Sequence, residues 1–401
     1  MSAKRIMLLS EGFGTGHTKA AQALADGLKH LFPETDTCVM ELGTVLNPKL
    51  VPVLLDAYRR TVSVQPELIG ILYRKQYHKP LNGFTRLALH KLFYAKALRI
   101  ISAWSPDAIV CSHPFPAAVI AHLKQQGLNI PLLTLITDYD AHGTWVNAEV
   151  DGYLAPAMKV RDVLISHGAE PSRISVTGLP VHPDFWSKGS KERIRRNLGL
   201  RNLPTALVMG GGWGITAQHE MLEQLIQLSG RIQLIICTGS NRKLYHQLHS
   251  NPQWHHPHVR ILGYTHKISQ LMDASDVLIT KPGGMTCTEA MVKRIPMLFL
   301  PALPGQEEEN RNYFVEQGYG LTLEHVTDLE LAIEELIRIG DSRLRAESYH
   351  PQLGARVVHQ LVSSRTLSPE YAEKWTSHRS VGGPSSPSSH SLGTKETARL
   401  S

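Results

Sequence analysis

The stretch that decides the fold is Lys281-Pro-Gly-Gly-Met-Thr-Cys-Thr-Glu289. It follows the apolar run 277–280, which has the length and composition of a buried parallel strand. The two glycines predict a turn, residues 286–294 have the pattern of a helix, and 296–300 form the next apolar run. Strand, glycine turn, helix and strand together make a βαβ unit, the building block of a parallel α/β sheet.

The same unit carries groups suited to a nucleotide sugar. A glycine turn that opens a helix presents backbone N–H groups and the positive end of the helix dipole to an anion such as phosphate. Glu289 lies in the first turns of that helix, where its carboxylate is placed to accept hydrogen bonds from two ribose hydroxyls. Gln306, Glu307 and Asn310 follow the next strand and suit a polyol. A glycine turn alone is common in α/β domains, so the prediction rests on the combination.

A second glycine turn lies near the N-terminus. Residues 5–9 form an apolar run, Ser10-Glu-Gly-Phe-Gly-Thr-Gly-His17 is the turn, and 18–28 have the pattern of a helix. The glycine spacing differs from the dinucleotide fingerprint G-x-G-x-x-G. His17 is predicted to point into the cleft at the carboxyl edge of the sheet, where open α/β folds bind ligands. A histidine at a helix start is also compatible with a plain cap.

Alternation of apolar runs with helical segments predicts two Rossmann-like domains that face each other across a cleft. The predicted strands are 5–9, 37–40, 108–111, 132–136, 152–155 and 174–177, then 205–209, 233–237, 259–262, 277–280 and 297–300. The segment 180–190 is rich in breakers and is the predicted hinge. The predicted divisions are a first domain 1–182, a second domain 191–345, a helix within 346–364, and a Ser/Pro-rich tail 365–401 that we expect to be disordered.

Several motifs together resemble one glycosyltransferase family. They are Gly14-Thr-Gly-His17, Ser112-His-Pro-Phe-Pro116, Thr137-Asp-Tyr139 with His142 and Trp145, Thr177-Gly-Leu-Pro-Val181, Met209-Gly-Gly-Gly-Trp-Gly214, Leu262-Gly-Tyr-Thr265 and the 281–310 block. The chain is similar over residues 5–345 to the family of monogalactosyldiacylglycerol synthase and processive diacylglycerol glucosyltransferase. The resemblance implies the two-domain GT-B architecture and inversion of the anomeric centre.

The resemblance also implies roles for particular residues. It places His17 as the general base, with Asp138 orienting or replacing it, and its chemistry agrees because a base with a pKa near neutrality is needed. The implied donor-binding residues are Gly16, Gly211, Gly212, Gly214, Tyr264, Gly283, Gly284, Met285, Thr286, Glu289, Gln306, Glu307 and Asn310. The implied acceptor-side residues are His113, Phe115, His142 and Trp145. No metal or other cofactor is expected, and Asp138-Tyr-Asp140 is not interpreted as a metal motif.

Composition agrees with a globular protein of more than one domain. The chain has 401 residues, of which 42% are hydrophobic, and a net charge of +7. Four scattered cysteines without metal-ligand spacing favour a reduced, cytoplasmic setting. No run approaches the roughly 20 apolar residues of a membrane-spanning helix. A lipid substrate would therefore be reached from the membrane surface.

Charge is concentrated in residues 44–104, here called the basic segment. It holds ten basic and two acidic residues, a net charge of +8 in a chain of +7. Leucines, isoleucines and phenylalanines recur in it at helical spacing, which is typical of a helical surface that binds an anionic membrane. A solvated helix pair packed on the sheet is the alternative. Nucleic-acid binding is not predicted because aromatic interleaving and a recognisable motif are absent.

The predicted function is transfer of a hexose from a UDP-sugar to diacylglycerol by an enzyme bound peripherally to the cytoplasmic membrane face. Glucose and galactose both stay open as the hexose. The alternatives are a polyprenyl-linked or other hydrophobic acceptor, a UDP-sugar epimerase of the same fold, and a sugar-nucleotide sensor without activity. The presence of His17 disfavours the sensor.

Overall fold

The computed structural model describes residues 3–64, 94, 96–210, 219–340 and 349–364. Within these ranges the chain forms two six-stranded parallel sheets with helices packed on their faces. This confirms the predicted fold of two Rossmann-like domains. The predicted loop glycines Gly211, Gly212 and Gly214, residues 65–93 of the basic segment and the tail 365–401 lie outside the described residues.

The first sheet has the strand order β2-β1-β3-β4-β5-β6. Its strands are β1 (Arg5–Ser10), β2 (Asp36–Glu41), β3 (Ala108–Cys111), β4 (Leu132–Leu135), β5 (Gly152–Ala155) and β6 (Ile174–Val176). Its helices are α1 (Thr15–Leu31), α2 (Leu42–Leu46), α3 (Leu50–Val64), α4 (Ala97–Trp104), α5 (Pro114–Gln125) and α6 (Met158–Ser166), with short 3-10 turns at Gly143–Trp145 and Pro171–Arg173. Strands β3, β4 and β5 are buried throughout because helices cover both faces.

The second sheet has the order β12-β11-β10-β7-β8-β9. Its strands are β7 (Thr205–Met209), β8 (Gln233–Cys237), β9 (Val259–Leu262), β10 (Val277–Thr280), β11 (Met297–Phe299) and β12 (Gly320–Thr322). Its helices are α7 (Lys191–Asn197), α8 (His219–Gln227), α9 (Arg242–Ser250), α10 (Ile268–Ala274), α11 (Gly284–Lys293), α12 (Gln306–Glu316) and α13 (Leu329–Ile339), with 3-10 turns at Pro183–Phe185, Leu228–Gly230, Pro252–Trp254 and Val326–Asp328. The order reverses between β7 and β10, and ligands of such sheets bind at that switch point.

All eleven predicted strands are present with ends within one residue of the prediction. The prediction omitted β12, an edge strand of only three residues that begins with Gly320. Its backbone passes so close to β11 that a Cβ on Gly320 would lie 2.2 Å from the carbonyl oxygen of Met297. Such a strand lacks the apolar run by which the others were recognised.

The chain returns to the first domain at its end. Helix α14 (Leu353–Ser363) packs on α1, with Ala355 and Val358 in the same apolar cluster as Leu24 and Leu28. The hydroxyl of Tyr349, just before α14, donates to the carbonyl oxygen of Leu179. The stretch of chain that leaves the first domain, at Leu179, therefore contacts the stretch that returns to it, at Tyr349.

Part of the predicted hinge is fastened to the second domain. Lys293, at the end of α11, is buried, pairs with Asp273 at 2.9 Å and donates to the carbonyl oxygen of Ser187 at 2.6 Å. Asp273 also accepts the N–H of Gly189 at 3.0 Å. Residues 187–189 are therefore held on the second domain, and the domain boundaries 182 and 191 stay predictions.

Among the helices of the described ranges, none has the length and hydropathy needed to cross a membrane.

Candidate active site

A cavity of about 250 Å³ lies between the domains, at the carboxyl edges of both sheets. Its lining comes from the N-terminal glycine turn, α3, the loops after β3 and β4, and the loops after β10 and β11. The lining residues are Phe13, Gly14, Thr15, Gly16, His17, Lys19, Tyr58, His113, Pro114, Thr137, Asp138, His142, Trp145, Lys281, Gly283, Gly284, Met285, Thr286, Leu303, Pro304, Gln306, Glu307 and Asn310. The two glycine turns singled out in the sequence thus meet in one cavity.

Two helices begin at this cavity without a side-chain cap. Gly14 is the N-cap of α1 and Gly283 is the N-cap of α11, and among the described residues no side chain accepts a capping hydrogen bond there. The first N–H groups of a helix have no partner within the helix and carry a partial positive charge. Lys19 and Lys281 add their ammonium groups to the lining. This side of the cavity is suited to an anion such as a diphosphate.

His17 is held in one tautomer. Its Nδ1 lies 3.0 Å from the carbonyl oxygen of Ser112 and 2.7 Å from Oγ1 of Thr137. Because a carbonyl oxygen only accepts hydrogen bonds, Nδ1 carries the proton and Nε2 has the lone pair. Burial lowers the pKa of His17, against an opposing attraction from Asp138. The imidazole is therefore neutral at neutral pH, as a general base must be.

The predicted acceptor-side residues form an aromatic wall beside His17. The ring centroid of His113 lies 4.7 Å from that of His17, and that of Trp145 lies at 6.3 Å. His142 also lines the cavity, and burial lowers its pKa to about 4. Phe115 is not part of the lining but packs behind it, 5.0 Å from His113 between ring centroids. The wall is therefore aromatic and uncharged.

Sequence reasoning missed two members of this wall. Phe13, from the glycine turn, stacks on His113 with ring centroids 5.6 Å apart. Tyr58, from α3, meets Phe13 edge-on at 5.4 Å. The signal for Tyr58 was weak, because a single tyrosine in a basic helix does not stand out. Its position brings the basic segment to the cavity.

Asp138 joins the two domains. Its Oδ1 accepts from Nδ2 of Asn310 at 3.0 Å, and its Oδ2 accepts from Nε2 of Gln306 at 2.9 Å. Oδ2 also accepts from Oγ1 of Thr137 at 3.2 Å, so Asp138 reaches His17 through that hydroxyl. The sequence-based alternatives were a carboxylate that orients His17 or one that replaces it. The geometry favours orientation by way of Thr137, which belongs to a motif quoted above but whose contact with His17 was not predicted.

The predicted sugar-binding side chains have protein partners. Gln306 and Asn310 donate to Asp138, and Glu307 pairs with Lys281 at 2.6 Å. A sugar hydroxyl would exchange with these hydrogen bonds rather than fill vacant positions. Lys281 was quoted in the opening motif, but its partnership with Glu307 was not predicted. The assignment of these residues to the sugar stays a prediction.

Two other donor-side predictions lie away from the cavity lining. Glu289 is half-buried one turn further along α11, where burial raises the pKa of its carboxyl to about 7 and the Lys19 ammonium opposes the shift. Tyr264 is 63% exposed, with its ring 5.1 Å from that of His266. Their roles at the ribose and the base stay predictions.

Among the described residues, no three His, Cys, Asp or Glu side chains are grouped as metal ligands.

Two family models cover most of the chain. Residues 17–181 match the model of monogalactosyldiacylglycerol (MGDG) synthase, and residues 205–350 match that of the glycosyltransferase family 28 C-terminal domain. The chain belongs to this family of glycosyltransferases. The resemblance indicated by the motifs is confirmed, and the two matches fall on the two sheets of the glycosyltransferase.

Individual proteins agree with this assignment. The glycosyltransferase is 28% identical over 377 residues to processive diacylglycerol beta-glucosyltransferase of Bacillus pumilus, covering 92% of this chain and 95% of that protein. Acinetobacter baumannii MurG has a similar structure, with TM-score 0.57 and 15% identity over 90% of this chain and 99% of that one. Anabaena Alr3699/HepE, crystallised with UDP-glucose, has TM-score 0.51 and 18% identity over 93% and 99%. These structures show the shared GT-B fold.

Proposed function

We propose that this glycosyltransferase moves a hexose from a UDP-hexose to diacylglycerol with inversion at the anomeric carbon. The observation that carries the proposal is the cavity in which a neutral His17, in the first turn of α1, lies together with the uncapped N-termini of α1 and α11. One side of the cavity suits a diphosphate and the other is an aromatic wall. The relatives named as diacylglycerol glucosyltransferases supply the acceptor class.

The reaction is a single displacement. The acceptor hydroxyl oxygen attacks the anomeric carbon from the face opposite the diphosphate, and the bond from that carbon to the diphosphate oxygen breaks. Nε2 of His17 takes the hydroxyl proton, and the hydrogen bond from Nδ1 to Ser112 holds the ring while it becomes positively charged. The helix N-termini, Lys19 and Lys281 stabilise the negative charge on the departing UDP.

The donor would lie along the second domain. In this proposal Gly283, Gly284, Met285 and Thr286 at the start of α11 bind the diphosphate, with Gly16 opposite them. Gln306, Glu307 and Asn310 bind the hexose after releasing Asp138 and Lys281, and Glu289 binds the ribose. Gly211, Gly212, Gly214 and Tyr264 complete the predicted set. Exchange of internal hydrogen bonds for sugar hydroxyls would couple donor binding to the contact between the domains.

The acceptor would enter from the first domain. His113, Phe115, His142 and Trp145 form the proposed acceptor side. Five large apolar side chains of the basic segment are exposed to solvent: Val45, Leu50, Val53, Leu54 and Leu98. Exposed apolar groups with a net positive charge favour an anionic membrane surface, where each basic residue contributes about 1 kcal/mol. We therefore propose peripheral binding to the cytoplasmic face of the membrane.

The deciding experiment measures glycolipid formation from radiolabelled UDP-glucose and UDP-galactose, each with diacylglycerol in anionic liposomes. We expect a labelled glycolipid from one of the two donors, which also identifies the hexose. A glycolipid formed only with a polyprenyl alcohol or another hydrophobic alcohol would reject diacylglycerol as the acceptor. Donor interconversion without an acceptor would replace transfer by epimerisation. The variant His17→Ala is the negative control.

A further inference from the structure

Glu11 is a buried carboxyl group that the proposed reaction does not use. It is 1% exposed and directly follows β1, in the N-terminal glycine turn that leads to His17. Its Oε1 accepts the N–H of Gly43, at the start of α2, at 2.8 Å and the hydroxyl of Tyr94 at 2.7 Å. Its Oε2 is buried without a hydrogen-bond partner among the described residues. A buried carboxyl with this arrangement is costly and calls for a physical role.

Three consecutive residues of the turn contact the basic segment. Glu11 bonds to Tyr94, which is 3% exposed. Gly12 lies so close to α3 that a Cβ there would be 2.7 Å from Cδ1 of Leu55. Phe13 packs edge-on against Tyr58. Leu55 and Tyr58 precede residues 65–93 in the chain and Tyr94 follows them, so the turn contacts described residues of the basic segment on both sides of that stretch.

We infer that Glu11 is a positioning residue: its carboxyl fastens the basic segment to the turn that carries His17 and so assembles the acceptor side of the cavity. The bond between Glu11 and Tyr94 would affect the cavity through Phe13 and Tyr58, which line it beside His113. This inference rests on the proposed function for its kinetic consequence. Its structural part concerns only the link between Glu11 and Tyr94.

The groups around Glu11 make the link sensitive to protonation. Glu41, on β2, faces it with a carboxylate that accepts the hydroxyl of Thr18 at 2.8 Å. Burial, and to a lesser degree Glu41, raise the pKa of Glu11 from 4.5 to about 7, while Tyr94 and Gly43 oppose the shift. Below that pH the carboxyl is neutral. Above it, a negative charge would be buried beside Glu41, with Oε2 lacking a donor among the described residues.

The kinetic test compares Glu11→Gln, Glu11→Ala and Tyr94→Phe. We expect Glu11→Ala and Tyr94→Phe to raise the KM for diacylglycerol in liposomes about tenfold, as loss of one buried hydrogen bond would. The Kd for UDP should change much less than this KM, because most of the proposed diphosphate contacts belong to the start of α11 and not to the N-terminal glycine turn. Glu11→Gln keeps a neutral acceptor and should restore the KM at pH 7. In the unsubstituted protein this KM should rise as the pH increases from about 4.5 to about 7, and in Glu11→Gln it should not.

The matched control is Tyr153→Phe. Tyr153 is another buried tyrosine of the first domain, 2% exposed, and its hydroxyl bonds to the backbone of Asn147 away from the cavity. It should lower the Tm without changing the KM for diacylglycerol. An equal rise in KM for Tyr153→Phe and Tyr94→Phe would overturn the inference. So would superimposable pH profiles for the unsubstituted protein and Glu11→Gln.

A measurement without substrate separates this inference from the proposed function. Hydrogen–deuterium exchange of the amides in residues 11–17 should become faster in Tyr94→Phe and stay unchanged in Tyr153→Phe. Tyr94→Phe removes a single oxygen atom, so this test holds even if Glu11→Ala does not fold. Unchanged exchange in Tyr94→Phe would refute the link. If no glycolipid forms in any variant, the proposed function fails while the exchange data still decide the link.

Discussion

At the level of single residues, the proposed reaction depends on one ring nitrogen of His17. The hydrogen bonds at Nδ1 leave Nε2 as the base, and Thr137 and Asp138 stand behind the ring. The arrangement has the logic of catalytic histidines in general, in which a partner at one nitrogen fixes the tautomer of the other. The next two predictions concern the proposed proton transfer to His17.

The variant His17→Ala should lose transfer activity and keep donor binding. We expect kcat to fall by about 10²–10⁴-fold, the usual contribution of a general base, with the Kd for UDP within about twofold. Single-turnover kinetics and calorimetry with UDP measure the two quantities. His246→Ala, which removes an exposed histidine of the second domain, is the control. Loss of UDP affinity would make His17 a binding residue instead.

The pH profile should reflect the environment of His17. Burial lowers its pKa below the ordinary 6.5, so its base form persists below that pH. The acid limb of kcat/KM should therefore have an apparent pKa under 6.5. Because Asp138 raises the pKa of His17, Asp138→Asn should move the limb to still lower pH. A limb above 6.5, or one shifted upward by Asp138→Asn, would contradict this account.

Glu289 allows a separate prediction about the donor. If its carboxylate binds the ribose hydroxyls, Glu289→Ala should weaken UDP binding about tenfold, because hydrogen bonds to charged groups contribute about 1.5–3 kcal/mol. The pKa of this carboxyl is raised to about 7, so UDP affinity should also increase as pH rises through 7. Glu289→Gln should remove that increase. Isothermal titration at several pH values measures both effects, and equal affinities in all variants would remove Glu289 from the ribose site.

Single residues also show what the sequence could and could not reveal. His17 could be recognised because a histidine closes a glycine turn at the end of a predicted strand. The role of Thr137 could not, although the residue belongs to a quoted motif, because that role is a contact with His17 across 120 positions of chain. The partners of Asp138 are 168 and 172 positions away on the other domain. Local patterns carry no information about which side chains meet across a domain interface.

At the level of elements, α11 joins the donor side of the cavity to the first domain. Its first residue, Gly284, approaches the loop after β4 so closely that a Cβ there would lie 2.5 Å from the carbonyl oxygen of Thr137. Its last residue, Lys293, donates to the carbonyl oxygen of Ser187 and pairs with Asp273, which accepts the N–H of Gly189. Movement of this helix would therefore act on both the cavity and the link between the domains.

The variant Gly284→Ala should hold the domains apart. A methyl group cannot share the position of a backbone oxygen, so we expect kcat to fall at least about tenfold as the near-attack geometry is lost. The Tm should change little, because the clash lies between the domains and not within a core. Kinetics and small-angle scattering test this, with Gly230→Ala, which has no neighbouring atom within 4 Å, as control. Unchanged scattering and kcat would show that the interface adapts.

Elements were also where prediction from sequence succeeded best. Continuous apolar runs such as 205–209 and 233–237 identified buried parallel strands to the residue. The glycine turn indicated the position of α11, although the helix begins at Gly284, two residues before the predicted start at 286. The three-residue strand β12 was missed because an edge strand with a glycine has too few side chains for a pattern. β11 is equally short but was recognised from the apolar run 296–300, so composition as well as length set the limit.

At the level of the whole molecule, the basic segment gives the first domain a distinct surface. Val53 on α3 is 65% exposed, and Leu331 on α13 of the second domain is equally exposed at 69%. Val53→Glu should weaken binding to anionic liposomes about tenfold by removing apolar area and adding a negative charge. Leu331→Glu is the matched control and should bind normally. Flotation assays measure both, and binding of the unsubstituted protein should weaken with added salt. Equal loss in both variants would exclude a specific membrane face.

The packing of α14 on the first domain affects the order in which the two domains can fold during translation. Side chains of α14, among them Ala355 and Val358, complete the apolar cluster that contains Leu24 and Leu28 of α1. During translation, the face of α1 that contacts α14 stays uncovered until α14 has been synthesised. The strands of the second sheet are contiguous in the chain and are available earlier. Domains of a nascent chain generally fold from the N-terminus onward. Here the second domain is positioned to finish first, because α14 of the first domain follows it in the chain.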